Sequence, residues 1–305
     1  MTFQKTLKAS VEMTGIGLHS GSAAHLVLRP GRPNTGIRFV RTDIDSEFEV
    51  AAHYQNITTT QLATTLGRGK VTISTVEHLL AAAAGLGIDN LRVEVDGPEI
   101  PIMDGSSAPF VDSILRAGLL VQDTPRSIVR IRERVEVRVQ EKWAVVEPAP
   151  RMEVHSSIEW DHPSIGYQEF RYIDGVTPVS DFSHARTFGF LKDVDALKRM
   201  GLARGGSMEN AVVLDHALVL NPGGLRYPNE FARHKVLDAL GDFKLAGIPI
   251  HGAFKLHRSG HDLHRAILAE IFSNPNHYEV LDFSEQMDQD KLVELNEADA
   301  MPIIA

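Results

Sequence analysis

This chain sets out its strands before its helices, and it does so twice. Residues 5–60 alternate turn signals with short β-rich runs, among them His25–Leu28 and Ile37–Val40, bounded by Gly and Pro. A helix is predicted from Ser74, where Ser74 and Glu77 form an S-x-x-E capping box and Gly85 or Gly87 supplies the stop. Leu91–Val95 then alternates like a strand. Ser107–Gly118 reads as a second helix with Pro109 near its first turn. After a linker at Asp123–Ser127 the pattern restarts with β-rich Ile128–Val139, Trp143–Glu147 and Met152–Ile158. A short helix near Val194–Met200, a Gly-rich turn at 201–206 and a strand at Ala211–Leu214 follow. Helices are predicted over 229–246 and from Asp262 to Ser273. A βαβ wind would interleave the two types, so the expectation is an α+β fold in two similar halves. The first covers residues 1–123 and the second 128–273, with an acidic tail over 274–305.

Composition narrows the chemistry. The chain has 305 residues, enough for a substantial core, and no cysteine. Disulfides, iron–sulfur clusters and thiolate zinc sites are therefore excluded, and any metal must be held by His, Asp or Glu. Net charge is -9, and residues 279–305 carry eight acids and one lysine. That balance gives no electrostatic footprint for nucleic acid. Leu79–Ile88 is the most apolar stretch and is broken by Gly85 and Gly87. It falls short of the roughly 18–20 residues of a membrane span. The N-terminal Met-Thr-Phe-Gln-Lys lacks a signal-peptide core. A soluble, cytoplasmic protein is expected.

The segment Asn229–Asp242 carries the strongest chemical signal. His234, Asp238 and Asp242 recur every four residues. Four residues advance a helix by about 40° beyond one turn, so the three share a stripe. Val236, Leu237, Leu240 and Phe243 fall opposite and can face a core. An imidazole and a carboxylate at i and i+4 can grip one divalent cation; a solvated helix face is the competing reading. Glu77 and His78 offer a second pair, although the capping box alone also accounts for Glu77. Gly260 can present His261 on a tight turn, and such a histidine is either a proton donor near neutral pH or an ordinary surface residue. Lys235 beside His234 reads locally as a solvated lysine.

Taken together, His78, His234 and Asp238 give two imidazoles and one carboxylate, the ligands of a catalytic zinc with one position open for water. Fe²⁺ suits the same set. Zinc lowers the pKa of that water toward ~7. Glu77 could take its proton, His261 could protonate a leaving amine, and Asp242 could hold His261 cationic. This is metal-assisted hydrolysis of an amide or ester. The H-E-x-x-H string of many metalloproteases does not occur.

Seven separated strings resemble one family, the UDP-3-O-acyl-N-acetylglucosamine deacetylases, zinc amidases of lipid A biosynthesis. They are Gly15–Gly21, Ile73–Leu79, Gly87–Asn90, Glu99–Ser106, Ala185–Phe190, Arg233–Asp238 and Ser259–His261, and the resemblance spans about residues 3–273. It implies two two-layer α+β domains with the helix layers packed between the sheets. It implies one zinc per chain on His78, His234 and Asp238, Glu77 as general base, and His261 as general acid supported by Asp242. Thr187 would help hold the oxyanion or the metal-bound water, Lys235 would add positive charge, and Phe188 would pack on the sugar. An apolar insert at about 190–214 would take the acyl chain along Leu191, Val194, Leu197, Ala203 and Val213. Lys142, Glu159, Trp160 and Arg258 would meet the uridine diphosphate, with Trp160 stacking on uracil. The expected reaction is removal of the N-acetyl group from a UDP-linked, acylated amino sugar by a monomeric enzyme. A zinc amidase for another acylated amide and a non-catalytic scaffold with the same fold are the alternatives. His261-Asp-Leu-His264 departs from the Asn-bearing string of the family, and the tail beyond about 280 has no family motif.

Overall fold

A computed structural model of the chain describes residues 2–44 and 48–283. The expected tail beyond 283 lies outside the described residues. Six α-helices are present among them: α1 (Glu77–Leu86), α2 (Ala108–Ala117), α3 (Ser180–Ser183), α4 (Leu191–Arg199), α5 (Glu230–Phe243) and α6 (His261–Ser273). Both α and β structure are abundant, with the helices laid on several sheets.

Two sheets dominate and share a strand order. In the five-stranded sheet the hairpin Val11–Ile16/Ala23–Pro30 lies beside Leu91–Val95, which is followed by the hairpin Ile37–Arg41/Phe48–Ala51. Leu91–Val95 runs antiparallel to Ala23–Pro30 and parallel to Ile37–Arg41. The seven-stranded sheet repeats this plan around Ile250–His257. That strand is antiparallel to Lys142–Glu147 and parallel to Met152–Trp160, and each neighbour belongs to a hairpin, with Val135–Val139 and Gly166–Ile173 respectively. In each sheet the late central strand follows a long helix, α1 or α5, and precedes another, α2 or α6. A late strand entering between two hairpins needs a crossover, and a helix supplies it.

Several local expectations shift for physical reasons. The capping box does not form. Thr75 has φ +58 and Ser74 hydrogen-bonds to Thr65, so the chain becomes helical only at Glu77, which leaves the Glu77 carboxylate free for other partners. The first half of the expected linker is strand: Leu119–Pro125 pairs with Phe3–Leu7. Ile128–Val139 breaks into Ile128–Ile131 and Val135–Val139, which join the large sheet at different places. Tyr278–Leu281, counted with the tail from composition, adds a strand to that sheet beside Ile128–Ile131. No helix among the described residues is long and apolar enough to cross a membrane.

The core is continuous across both sheets. Leu26, Leu28 and Val93 of one, Val146, Phe254 and Leu256 of the other, and Leu79, Leu80, Leu237 and Leu240 of the helices all belong to one buried cluster. Phe243 of α5 stacks on Phe254 at 4.1 Å, fixing α5 to the central strand. Every residue of α5 except Arg233 and Lys235 is buried. The stripe of His234, Asp238 and Asp242 is thus covered, not solvated, and α1 is what meets α5 along its length.

Gly241 sets how closely α1 and α5 approach. A Cβ there would lie 2.0 Å from the Glu77 carbonyl oxygen, a backbone atom that cannot turn aside. Gly241→Ala gains about 1 kcal/mol in helix propensity, but forcing two packed backbones apart costs about 1–3 kcal/mol, at the upper end for so deep an overlap. The expected result is a net loss of stability in denaturant unfolding. A stabilised Gly241→Ala protein would contradict a rigid α1–α5 contact.

Candidate metal centre

Four segments deliver the site. Glu77 and His78 open α1, His234, Asp238 and Asp242 line α5, His261 opens α6, and the stretch from Ala185 to Phe188 closes one side. His78 Nε2 lies 3.8 Å from Asp238 Oδ1, and His234 Nε2 lies 3.3 Å from the same oxygen. The two rings meet edge to face with centroids 5.0 Å apart. One donor atom from each of the three residues falls within 4.8 Å of the others, the grouping a single cation needs.

The protonation of these groups fits a cation. His234 Nδ1 donates to the Ala185 carbonyl at 3.0 Å, which leaves the Nε2 lone pair facing Asp238. Burial, then the neighbouring His234, pushes His78 down to about 3, and burial also lowers His234, so both imidazoles are neutral. Burial would raise Asp238, but the His234 ring that faces it, then the Lys235 and His261 cations, hold it well below the usual carboxylate range. Lys235 Nζ occupies the other carboxylate oxygen, Oδ2, at 2.9 Å. Two neutral imidazoles and one ionised carboxylate, converging in a buried space, form a donor set for zinc or a similar divalent ion.

Beside them stands an acid–base pair. Glu77 Oε1 lies 3.8 Å from His261 Nε2. Burial pushes Glu77 up to about 8 even though His261 pulls it down. The amino end of α1 favours its anion. His261 begins α6, where the helix dipole and burial both disfavour an imidazolium. Asp242 reverses that balance: its Oδ2 accepts from His261 Nδ1 at 2.6 Å, and His261 is raised to about 10. Asp242 itself stays ionised despite its burial because His261 faces it. The free nitrogen of His261 is therefore Nε2, the one turned toward Glu77.

Asp242 has two further donors. His264, fully buried, donates from Nδ1 to the same Oδ2 at 2.8 Å and is held at Nε2 by the Ser259 hydroxyl at 2.9 Å. The Thr64 hydroxyl donates to Oδ1 at 2.5 Å. His264 drew notice in the sequence only as a departure, and Thr64 drew none. The motif spacing gave no signal for a threonine 178 residues away from its partner.

Asp242→Asn removes the charge that raises His261, so its pKa falls, by about 1–3 units for an opposing charge at this range. Histidine NMR should find His261 protonated past pH 8 in the parent chain and neutral well below that in the variant. An unmoved titration would take Asp242 out of this role.

Of the remaining expected residues, Phe188 meets the donor set directly. Phe188 lies edge-on to His234 with centroids 6.3 Å apart, carries Lys235 Nζ over its ring at 5.7 Å, and touches Trp160 edge-on at 5.7 Å. Thr187 is placed by backbone bonds to Gly105 and Val212, two residues past Ala185. Val194, Leu197, Ala203 and Val213 are half-buried and Leu191 is exposed, so these residues line a surface and form no closed core. Lys142, Glu159 and Arg258 cluster at one end of the large sheet, since Trp143 and Ser157 both pair with His257. Arg258 is ion-paired there with Glu141 at 3.0 Å. Trp160 and Phe190 line a cleft of about 580 Å³ with Lys192, Asp193 and His216.

Comparison with known proteins identifies the family. A family profile described as LpxC, UDP-3-O-acyl N-acetylglycosamine deacetylase, matches residues 4–273. The chain is similar to the UDP-3-O-acyl-N-acetylglucosamine deacetylase of Myxococcus xanthus, with 48% identity over 279 residues, 91% of this chain and 89% of the relative. Those of Hahella chejuensis and Haemophilus influenzae are 46% and 45% identical over 93% and 94% of this chain, and 95% of each relative is covered. The chain belongs to the UDP-3-O-acyl N-acetylglycosamine deacetylase family.

Proposed function

We propose that this chain removes the N-acetyl group of UDP-3-O-(3-hydroxyacyl)-N-acetylglucosamine, giving the free amine and acetate, in lipid A biosynthesis. One observation carries the mechanism. Three buried donors from α1 and α5 converge beside a carboxylate–imidazole pair whose free atoms face each other at 3.8 Å. His78, His234 and Asp238 hold one zinc, with Fe²⁺ as the other ion this set accepts. Zinc bound there supplies a Lewis acid for the acetyl carbonyl and an acidified water.

The chain's own groups do the rest. Glu77 takes a proton from water as its oxygen adds to the acetyl carbon. The charge on the facing His261 favours the ionised Glu77 against the effect of its burial. His261 gives its Nε2 proton to the amide nitrogen as the C–N bond breaks, so the amine leaves neutral. Asp242 keeps His261 charged and aimed. Thr187 steadies the developing oxyanion. Lys235 neutralises the outer oxygen of Asp238 and adds positive charge beside the substrate.

Substrate recognition follows the rim. Phe188 packs on the sugar and Trp160 stacks on uracil, while Lys142, Glu159 and Arg258 meet the uridine diphosphate from the sheet end. The acyl chain runs along Leu191, Val194, Leu197, Ala203 and Val213, whose half-buried positions suit a lined surface. The matched strand orders support reading residues 1–123 and 128–273 as two α+β domains, helix layers face to face, with the zinc between α1 and α5. We read the enzyme as a cytoplasmic monomer.

The test is acetate release from the UDP-linked substrate against a panel of acylated amides lacking the nucleotide. Turnover confined to the UDP-sugar is expected. Equal turnover of the nucleotide-free amides would move the chain to a broader zinc amidase. No turnover by metal-loaded protein would leave a scaffold.

A further inference from the structure

Thr64 sits just before the strand Thr65–Arg68, 1% exposed, with its polar groups bonded to the start of α1 and to Asp242. Its N–H donates to Glu77 Oε2 at 3.0 Å. Its carbonyl accepts from Val76 N–H at 3.3 Å, at the very start of α1. Its hydroxyl donates to Asp242 Oδ1 at 2.5 Å, the short distance of a hydroxyl on a carboxylate. Thr64 therefore bonds both the base and the carboxylate that orients the acid. His261 and His264 both draw on Oδ2 of Asp242, so the Thr64 hydroxyl is the donor that holds Oδ1.

We propose that Thr64 is a positioning residue of the deacetylation, coupling the Glu77 and His261 arms by clamping Asp242 against the start of α1. The inference rests on the proposed function. A carboxylate with donors on both oxygens has a fixed plane, and the plane of Asp242 sets the direction of the His261 ring. Without the hydroxyl, Asp242 turns about its last side-chain bond and the 3.8 Å spacing between Glu77 and His261 loosens. The hydrogen bonds of Thr64 go to Glu77, Val76 and Asp242, none of them a metal donor, so metal content should be unchanged.

Thr64→Val keeps the shape and deletes the hydroxyl. The expected result is a loss of about 10- to 100-fold in kcat, the range of one hydrogen bond to a charged group. KM should stay within about twofold, one metal ion should remain bound, and Thr64→Ser should restore most of the rate. A Val variant with unchanged kcat, a loss confined to KM, or a Ser variant as slow as Val would each overturn the proposal. Should the Val protein not fold, Thr64→Ala against Thr64→Ser makes the same comparison. The proton on His261 Nδ1 gives a second readout that needs no substrate. Its downfield NMR signal should shift or broaden in Val or Ala and stay in Ser, and an unmoved signal overturns the clamp. Wild-type protein that releases no acetate would sink the function reading, whereas active wild type with an equally active Val variant would sink only this inference.

Discussion

Glu77→Gln keeps its metal and loses about 10²- to 10⁴-fold in kcat, the usual worth of a positioned proton-transfer group. The amide has the shape of the carboxylate, and its oxygen can still accept from Thr64 N–H, so the start of α1 stays in place. The buried space also tolerates it: Glu77 is 3% exposed, and a neutral group there avoids the desolvation that pushes the carboxyl up to about 8. Folding and metal content should therefore match the parent while the base is gone. Metal analysis beside kcat at saturating substrate checks both halves. A variant that turns over within a few-fold of the parent would remove Glu77 from the proton transfer.

His234→Ala acts on the other half of the site and fails differently. Losing even an outer partner of a metal ligand costs about 10- to 100-fold in affinity, so losing the ligand itself costs more. His234 is anchored by the Ala185 carbonyl and faces Asp238 at 3.3 Å. Dialysed protein should hold much less than one zinc per chain and release no measurable acetate, and adding metal at ordinary concentrations should not restore it. A His234→Ala chain that keeps both zinc and turnover would place the metal elsewhere, the group of Asp242, His261 and His264 being the other one among the described residues close enough to hold an ion.

The sequence made the centre of this site legible because helix periodicity is a strong geometric rule. His234, Asp238 and Asp242 had to share a stripe once the segment was helical, and the segment is α5. What periodicity could not say was that this stripe is buried. Leu237 and Leu240 enter the core on one side, as expected, while α1 covers the other. Glu77 illustrates the limit of local rules. Its spacing from Ser74 fits a capping box, yet Thr75 takes a left-handed conformation and the carboxylate turns to Thr64. Thr64 and His264 were illegible as partners of Asp242 because their roles come from tertiary contact, with no spacing in the chain to announce it. The strand Tyr278–Leu281 was hidden by its acidic neighbours, since edge strands carry charge without losing their pairing. For the rim the spacing of apolar residues in 190–214 was ambiguous between a small core and a lining, and the half-exposure of Val194 and Leu197 favours the lining.

The central claim is that one metal ion on His78, His234 and Asp238 makes this chain a deacetylase. The most direct measurement strips the protein of metal, adds zinc in steps, and follows bound zinc and acetate release from UDP-3-O-(3-hydroxyacyl)-N-acetylglucosamine in the same samples. The predicted result is no release at the start, a rate that climbs in proportion to bound zinc, and a plateau at one ion per chain. Acetate released by the metal-free protein, or a fully loaded protein that releases none, would contradict it.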